Sequence, residues 1–104
     1  MFVNLCQHAI DIVAGDAIRT VPPSGSVARV SSTSSIVGEV EGLPIHRTVF
    51  GAVDGVPDPR EGVLFIVSAL VRAACPGRAD VASPGELVRD DAGQPIGCRG
   101  LIIN

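Results

Sequence analysis

The chain has 104 residues, a net charge of −3, and eight basic residues that are all Arg. That length suits one domain, residues 1–104, and a hydrophobic fraction of 46% argues against disorder. With no Trp or Tyr, and Phe only at positions 2, 50 and 65, a base-stacking surface for single strands is disfavoured. The arginines are scattered among acids, and this charge pattern argues against nucleic acid as the ligand.

Three cysteines, Cys6, Cys75 and Cys98, form no CxxC pair and no even framework, which predicts reduced thiols and a cytoplasmic protein. The start, "MFVNLCQHAIDIV", lacks a positive n-region and predicts no signal peptide. The longest apolar run, "GVLFIVSALV", is too short to cross a bilayer, so no membrane partner is expected.

In chain order, "FVNLCQHAIDIV" predicts two short strands, 2–5 and 8–13, with a corner at Cys6–Gln7. "AGDA" is a turn and "AIRTV" a returning strand. "PPSG" at 22–25 is a loop, since Pro fixes the backbone and Gly frees it. "SVARVSS" alternates as a strand. "IVGEV" and the segment from Ile45 to Val53 predict a hairpin with Gly42 and Pro44 near its tip. "DGVPDPREG" predicts an exposed loop that is a candidate for mobility.

"VLFIV" is apolar on both faces and predicts a fully buried strand. Ser68 is placed to cap a short helix at about 69–75, ended by Pro76–Gly77. "RADVASPG" predicts a loop with at most a bridge of strand. "ELVRD" and "PIGCRGLII" predict a hairpin turning at "DAGQ". The expected fold is α+β: a curved, mainly antiparallel sheet with one short helix, with an all-β barrel-like sheet as the alternative. An open sheet edge is a pairing template, so a homo-oligomer is expected.

Three stretches, "VNLCQHAIDI", "VPPSGSVARV" and "LFIVSALVRAACPGRADVASPGELVRDDAGQPIGC", resemble a family of small phage and prophage proteins. That family has an Asn-Leu-Thr-Pro-His-like start and a C-terminal IVS…RxD…PG…VRD…G…IGC block. The resemblance covers about two thirds of the chain in order. It falls on Asn4, Leu5, His8, Pro23, Gly25, Arg29, Ser68, Arg78, Asp80, Pro84, Gly85, Arg89, Asp90, Gly97 and Cys98. The chain departs from it at Cys6–Gln7, where Thr-Pro is usual. It implies a phage-encoded protein in a bacterial host's cytoplasm, and a setting rather than an activity.

For chemistry, an Arg fork suits a carboxylate or phosphate. Arg29, Arg78, Arg89 and Arg99, with Asp80 and Asp90, are the candidate ligand-binding residues for a nucleotide-like anion. Arg89 and Arg99 are expected to lie near one another across the hairpin. The competing reading is a lattice of internal salt bridges, because paired Arg and Asp mostly satisfy one another. His8 and Cys98 are the weak catalytic candidates, as a base and a nucleophile. Cys6-x-His8 could share one strand face, but structural zinc usually shows a second close pair, so no metal is expected. Neither GxGxxG nor a Walker pattern is present, and no cofactor is expected.

The leading expectation is a non-enzymatic binding protein for an anionic small molecule or a host protein, with counteracting host defence as one such role. A small Cys/His hydrolase or transferase is the second expectation. A structural particle component is the third, disfavoured by the acidic balance and by the lack of an extended arm.

Overall fold

A computed structural model of the chain describes residues Met1–Asn104. Its elements are β1 (Phe2–Asn4), β2 (Ile10–Ala14), β3 (Ala17–Val21), β4 (Arg29–Val40), β5 (Leu43–Asp54), β6 (Leu64–Ile66), α1 (Ala69–Ala73), β7 (Val81–Arg89) and β8 (Pro95–Ile103). Six strands form one sheet in the order β1-β6-β7-β8-β2-β3, and β4 and β5 pair only with each other.

The six-stranded sheet is a curled half-barrel of mixed direction. β1–β6, β6–β7 and β2–β8 are parallel, while β7–β8 and β2–β3 are antiparallel. The expected curved sheet with a short helix is present, and its strand directions are mixed. The parallel pairings arise because distant segments, β1 with β6 and β2 with β8, meet in the same direction. At one end the chain beyond β3 returns to β1. Asn4 bridges to Pro23 there, and the Ser24 amide donates to the Asn4 carbonyl at 3.0 Å.

The core follows from "VLFIV" being apolar at every position. Phe65, Val67, Val71 and Val81 are fully buried and cluster with Leu5, Ala28 and Val63. Strand alternation sends Ile66 and Ala82 to the opposite face, and both are also fully buried. α1 runs Ala69–Ala73, slightly shorter than expected. The Val71 amide donates to the Ser68 hydroxyl at 3.3 Å, as an N-cap does. Arg72 ties the helix to β7 by donating from Nε to the buried Ser83 hydroxyl at 2.8 Å.

Two expectations are corrected. β7 begins at Val81, so "VASPG" is strand rather than loop. Val81 and Ala82 pair with β6, but β6 ends there. Beyond Ala82 that side of β7 is free, so Pro84 breaks no ladder bond while pairing with Leu101 on β8.

The second correction is larger. "SVARVSS" and "IVGEV" are one strand of twelve residues, β4, and β5 is as long. Together they make a two-stranded ribbon that turns at Glu41–Gly42. Both turn residues have positive φ, 51° and 80°, the geometry that a tight two-residue hairpin needs. Every residue from Ser31 to Ala52 is exposed. The chain therefore does carry an extended arm. Its radius of gyration is 16.3 Å, against roughly 13 Å for a compact chain of this length.

Candidate functional site

The loop between β1 and β2 is built around Asn4. This side chain is only 1% exposed, and all its polar positions are used. Its Nδ2 donates to the His8 carbonyl at 2.9 Å and to the Val21 carbonyl at 3.0 Å, and its Oδ1 accepts from the Cys6 amide at 2.8 Å. Asn4 thus fixes the backbone of Cys6 and His8 and pins the last residue of β3 to β1. These are the two edge strands of the half-barrel.

His8, so held, is exposed and borders two concavities. The smaller, about 200 Å³, lies under Leu5, Cys6, Gln7, Val27, Ala28 and Ser68. The larger is an open groove of about 520 Å³ between the start of β2 and the β7–β8 hairpin. Ile10, Pro84, Leu87, Pro95 and Ile96 make it largely apolar, with Asp11 and Cys98 also on its wall. The structure therefore brings the two catalytic candidates, His8 and Cys98, to one groove. Cys98 is buried, and its thiol donates to the Asp11 carbonyl at 3.4 Å. Burial pushes the Cys6 thiol above its ordinary pKa, which keeps it protonated near neutral pH.

The candidate arginines line neither concavity. Arg78 forms a fork on Asp80, with Nε to Oδ1 at 2.8 Å and NH2 to Oδ2 at 2.9 Å. Its NH2 also donates to the Pro57 carbonyl at 2.9 Å. That bond, with Val56 packed on the core, anchors the loop that sequence offered as mobile. Arg89 donates to the Gly93 carbonyl at 2.8 Å, inside its own turn. Asp90 Oδ1 accepts from the Ala92 and Gln94 amides at 3.0 and 2.9 Å. Arg29 lies opposite Asp54, and Arg99 opposite Glu86, without an ion pair in either case.

Register also separates Arg89 from Arg99. Arg89 pairs with Pro95, so the two arginines sit about 13 Å apart along the strand. None of the six residues lines either concavity, and Arg78, Asp80, Arg89 and Asp90 are engaged within the chain while Arg29 and Arg99 have no ion-pair partner. No cluster of three or more His, Cys, Asp or Glu has metal-ligand geometry. The chain matches no protein-family model, no curated protein and no solved structure.

The Arg78–Asp80 pair makes a modest, testable contribution. Hydrogen bonding from Arg78 holds the Asp80 carboxyl below the usual carboxylate range. A depressed folded-state pKa means stability that is present above the unfolded pKa and lost as pH falls through the folded one. The pair is about a quarter exposed, so Asp80→Asn should cost no more than about 1 kcal/mol at neutral pH. In urea unfolding, the gap between wild type and Asp80→Asn should close as the pH is lowered through the carboxylate range. A gap independent of pH would mean that the carboxylate charge is not what stabilises this loop.

Proposed function

We propose that this chain is a small phage-type accessory protein that works by binding another protein, with the β4–β5 ribbon as its contact element. One observation carries the reading. From Ser31 to Ala52 nothing is buried, yet Ile36, Val37, Val40, Leu43, Ile45, Val49 and Phe50 are large apolar residues in that stretch. Register puts Val40, Leu43, Ile45 and Val49 on one face of the ribbon, and an exposed apolar face of this kind marks an interaction site. An isolated two-stranded hairpin is also only marginally stable in water, so a partner would stabilise the ribbon itself.

The other readings have less support. A nucleotide-like anion needs a concavity lined by free guanidinium forks; Arg78 and Arg89 are engaged within the chain, and Arg29 and Arg99, which are not, line neither concavity. A Cys/His enzyme has His8 and Cys98 on one groove, but the Cys98 thiol is buried against a backbone carbonyl. A particle component gains from the arm, since arms link neighbouring subunits. The compartment that fits the resemblance and the three free thiols is a bacterial host's cytoplasm.

The test shortens the ribbon by joining Ser34 to Thr48 through Asn-Gly. The removed residues bury nothing, so the melting temperature should stay within about 3 °C of the full chain. Native mass spectrometry of both proteins isolated from a bacterial host should find the full chain with a stoichiometric protein partner, its own or the host's. The shortened chain should run alone. A full chain without a partner, or a shortened chain that keeps one, would overturn the reading. An excess mass of a few hundred daltons retained by both would return attention to a small ligand.

A further inference from the structure

We infer that the β2–β3 hairpin is a hinged lid on the groove that His8 and Cys98 share, opening as one piece while the core stays folded.

The hinge is at the feet of the hairpin. Asn4 holds both of them: its Nδ2 donates to the His8 carbonyl just before β2 and to the Val21 carbonyl at the end of β3. Asn4 is buried, and its own carbonyl accepts from the Ser24 amide at 3.0 Å, which steadies the second foot. From there the strands pair without a break, Ile10 with Val21 through Ala14 with Ala17, up to a tip at Gly15–Asp16. The Thr20 hydroxyl also donates to the Asp11 carboxylate at 2.6 Å across the strands. The hairpin is therefore a stiff unit in itself.

Beyond the feet its attachments are light. On one side only Ile12 and Val13 pair with β8, and the Cys98 thiol donates to the Asp11 carbonyl at 3.4 Å. On the other side the Arg19 guanidinium lies over the Phe2 ring of β1, 4.8 Å from its centroid. Ile12 pairs with Arg19 across the hairpin, so both latches act at the same level between feet and tip. Of the residues in β2 and β3, only Val21 at the foot is buried. The core cluster around Phe65 and Val67 draws no residue from either strand. A segment with few buried apolar contacts opens at a lower free energy than the whole domain. This one can swing out without dismantling the core.

Turning on its feet, the hairpin parts from β8 at Ile12 and Val13. Ile10 and Asp11 line the β2 side of the groove, and Gly97 and Cys98 line the β8 side. The lid thus sets the width of the groove and covers the Cys98 thiol, which is buried when the lid is closed. A groove of about 520 Å³ with one swinging wall admits occupants larger than its closed volume.

The experiment is native-state hydrogen exchange of the full chain by NMR, with alkylation of Cys98 followed in parallel by peptide mass mapping. The hydrogen-bonded amides of β2 and β3 and the Cys98 thiol should share one opening constant. It should be at least about tenfold larger than that of the Phe65 and Val67 amides, which donate to Asp80 and Ala82 within the core. Arg19→Met keeps the reach of the side chain and removes the cation from Phe2. It should raise the shared constant about two- to fivefold, the worth of an exposed cation–π contact, although Arg19 lies two strands away from Cys98. Alkylation of Cys98 only at the rate set by core opening would overturn the inference. Alkylation faster than that, yet indifferent to Arg19→Met, would mean fraying of β2 from β8 alone and would overturn it equally. Amides exchanging one by one from the tip, with no shared constant, would rule out a lid that moves as a unit.

Discussion

Replacing Asn4 by alanine should lower the unfolding free energy by about 3 kcal/mol, a large share of what a domain of this size has to lose. Three backbone groups lose their partner at once: the His8 and Val21 carbonyls and the Cys6 amide. A buried polar group left unsatisfied costs about 1–3 kcal/mol. Water entering from the His8 side would offset part of that sum. Asn4→Asp separates shape from chemistry. Its carboxylate would face two carbonyls that the amide nitrogen now satisfies. Burial raises the pKa of such a carboxyl in the folded state. The penalty of Asn4→Asp is therefore smallest below the unfolded carboxyl pKa and grows as pH rises through the raised folded value. Urea unfolding followed by circular dichroism at acid and neutral pH would show this. Asn4→Ala within about 0.5 kcal/mol of wild type would mean that the edges of the half-barrel close without this side chain.

Much of the body was legible because its residues obey one rule at a time. "VLFIV" is apolar throughout, Ser68 precedes good helix formers, and "DAGQ" separates two alternating runs. These gave β6, α1 and the β7–β8 hairpin. The ribbon was not legible as one element. "SSTSS" has no apolar face and looks like a spacer between two strands. A strand needs an apolar face only where that face is buried, and here both faces are exposed. "SPG" in β7 misled for a related reason. Its turn signal is sound in isolation, but a strand with one free side tolerates Pro.

The site was legible in its parts and not in its assembly. His8 and Cys98 stood far apart in sequence, and nothing local foretold that the parallel pairing of β2 with β8 would put them on one groove. The arginines were conspicuous in sequence, yet Arg89 is bound to the Gly93 carbonyl of its own turn and Arg78 to Asp80 and the distant Pro57 carbonyl. Asn4 left one trace: a poor strand former between Val3 and Leu5. A short polar side chain in such a place is explained by the hydrogen bonds it makes to backbone.

Gly97→Ala should cost about 2–3 kcal/mol and should also expose the Cys98 thiol. A methyl at Gly97 would sit 2.7 Å from the Asp11 carbonyl oxygen and 3.2 Å from Val13 Cγ2. The first neighbour is backbone, so it cannot swing aside as a side chain would. β2 must then retreat from β8. Their ladder is short, only Ile12 with Cys98 and Val13 with Arg99, and a small retreat undoes much of it. The β2–β3 hairpin would hang from the Asn4 seam alone, and the Asp11 carbonyl would move off Cys98. Gly77→Ala is the control, because nothing lies within 4 Å of a methyl there. Thermal melting should separate the two variants, and alkylation of Cys98 should accelerate only in Gly97→Ala. If Gly97→Ala melts with wild type and its thiol stays shielded, β2 has room to spare beside β8. The groove wall would then be looser than a carbonyl held 2.7 Å from a methyl position implies.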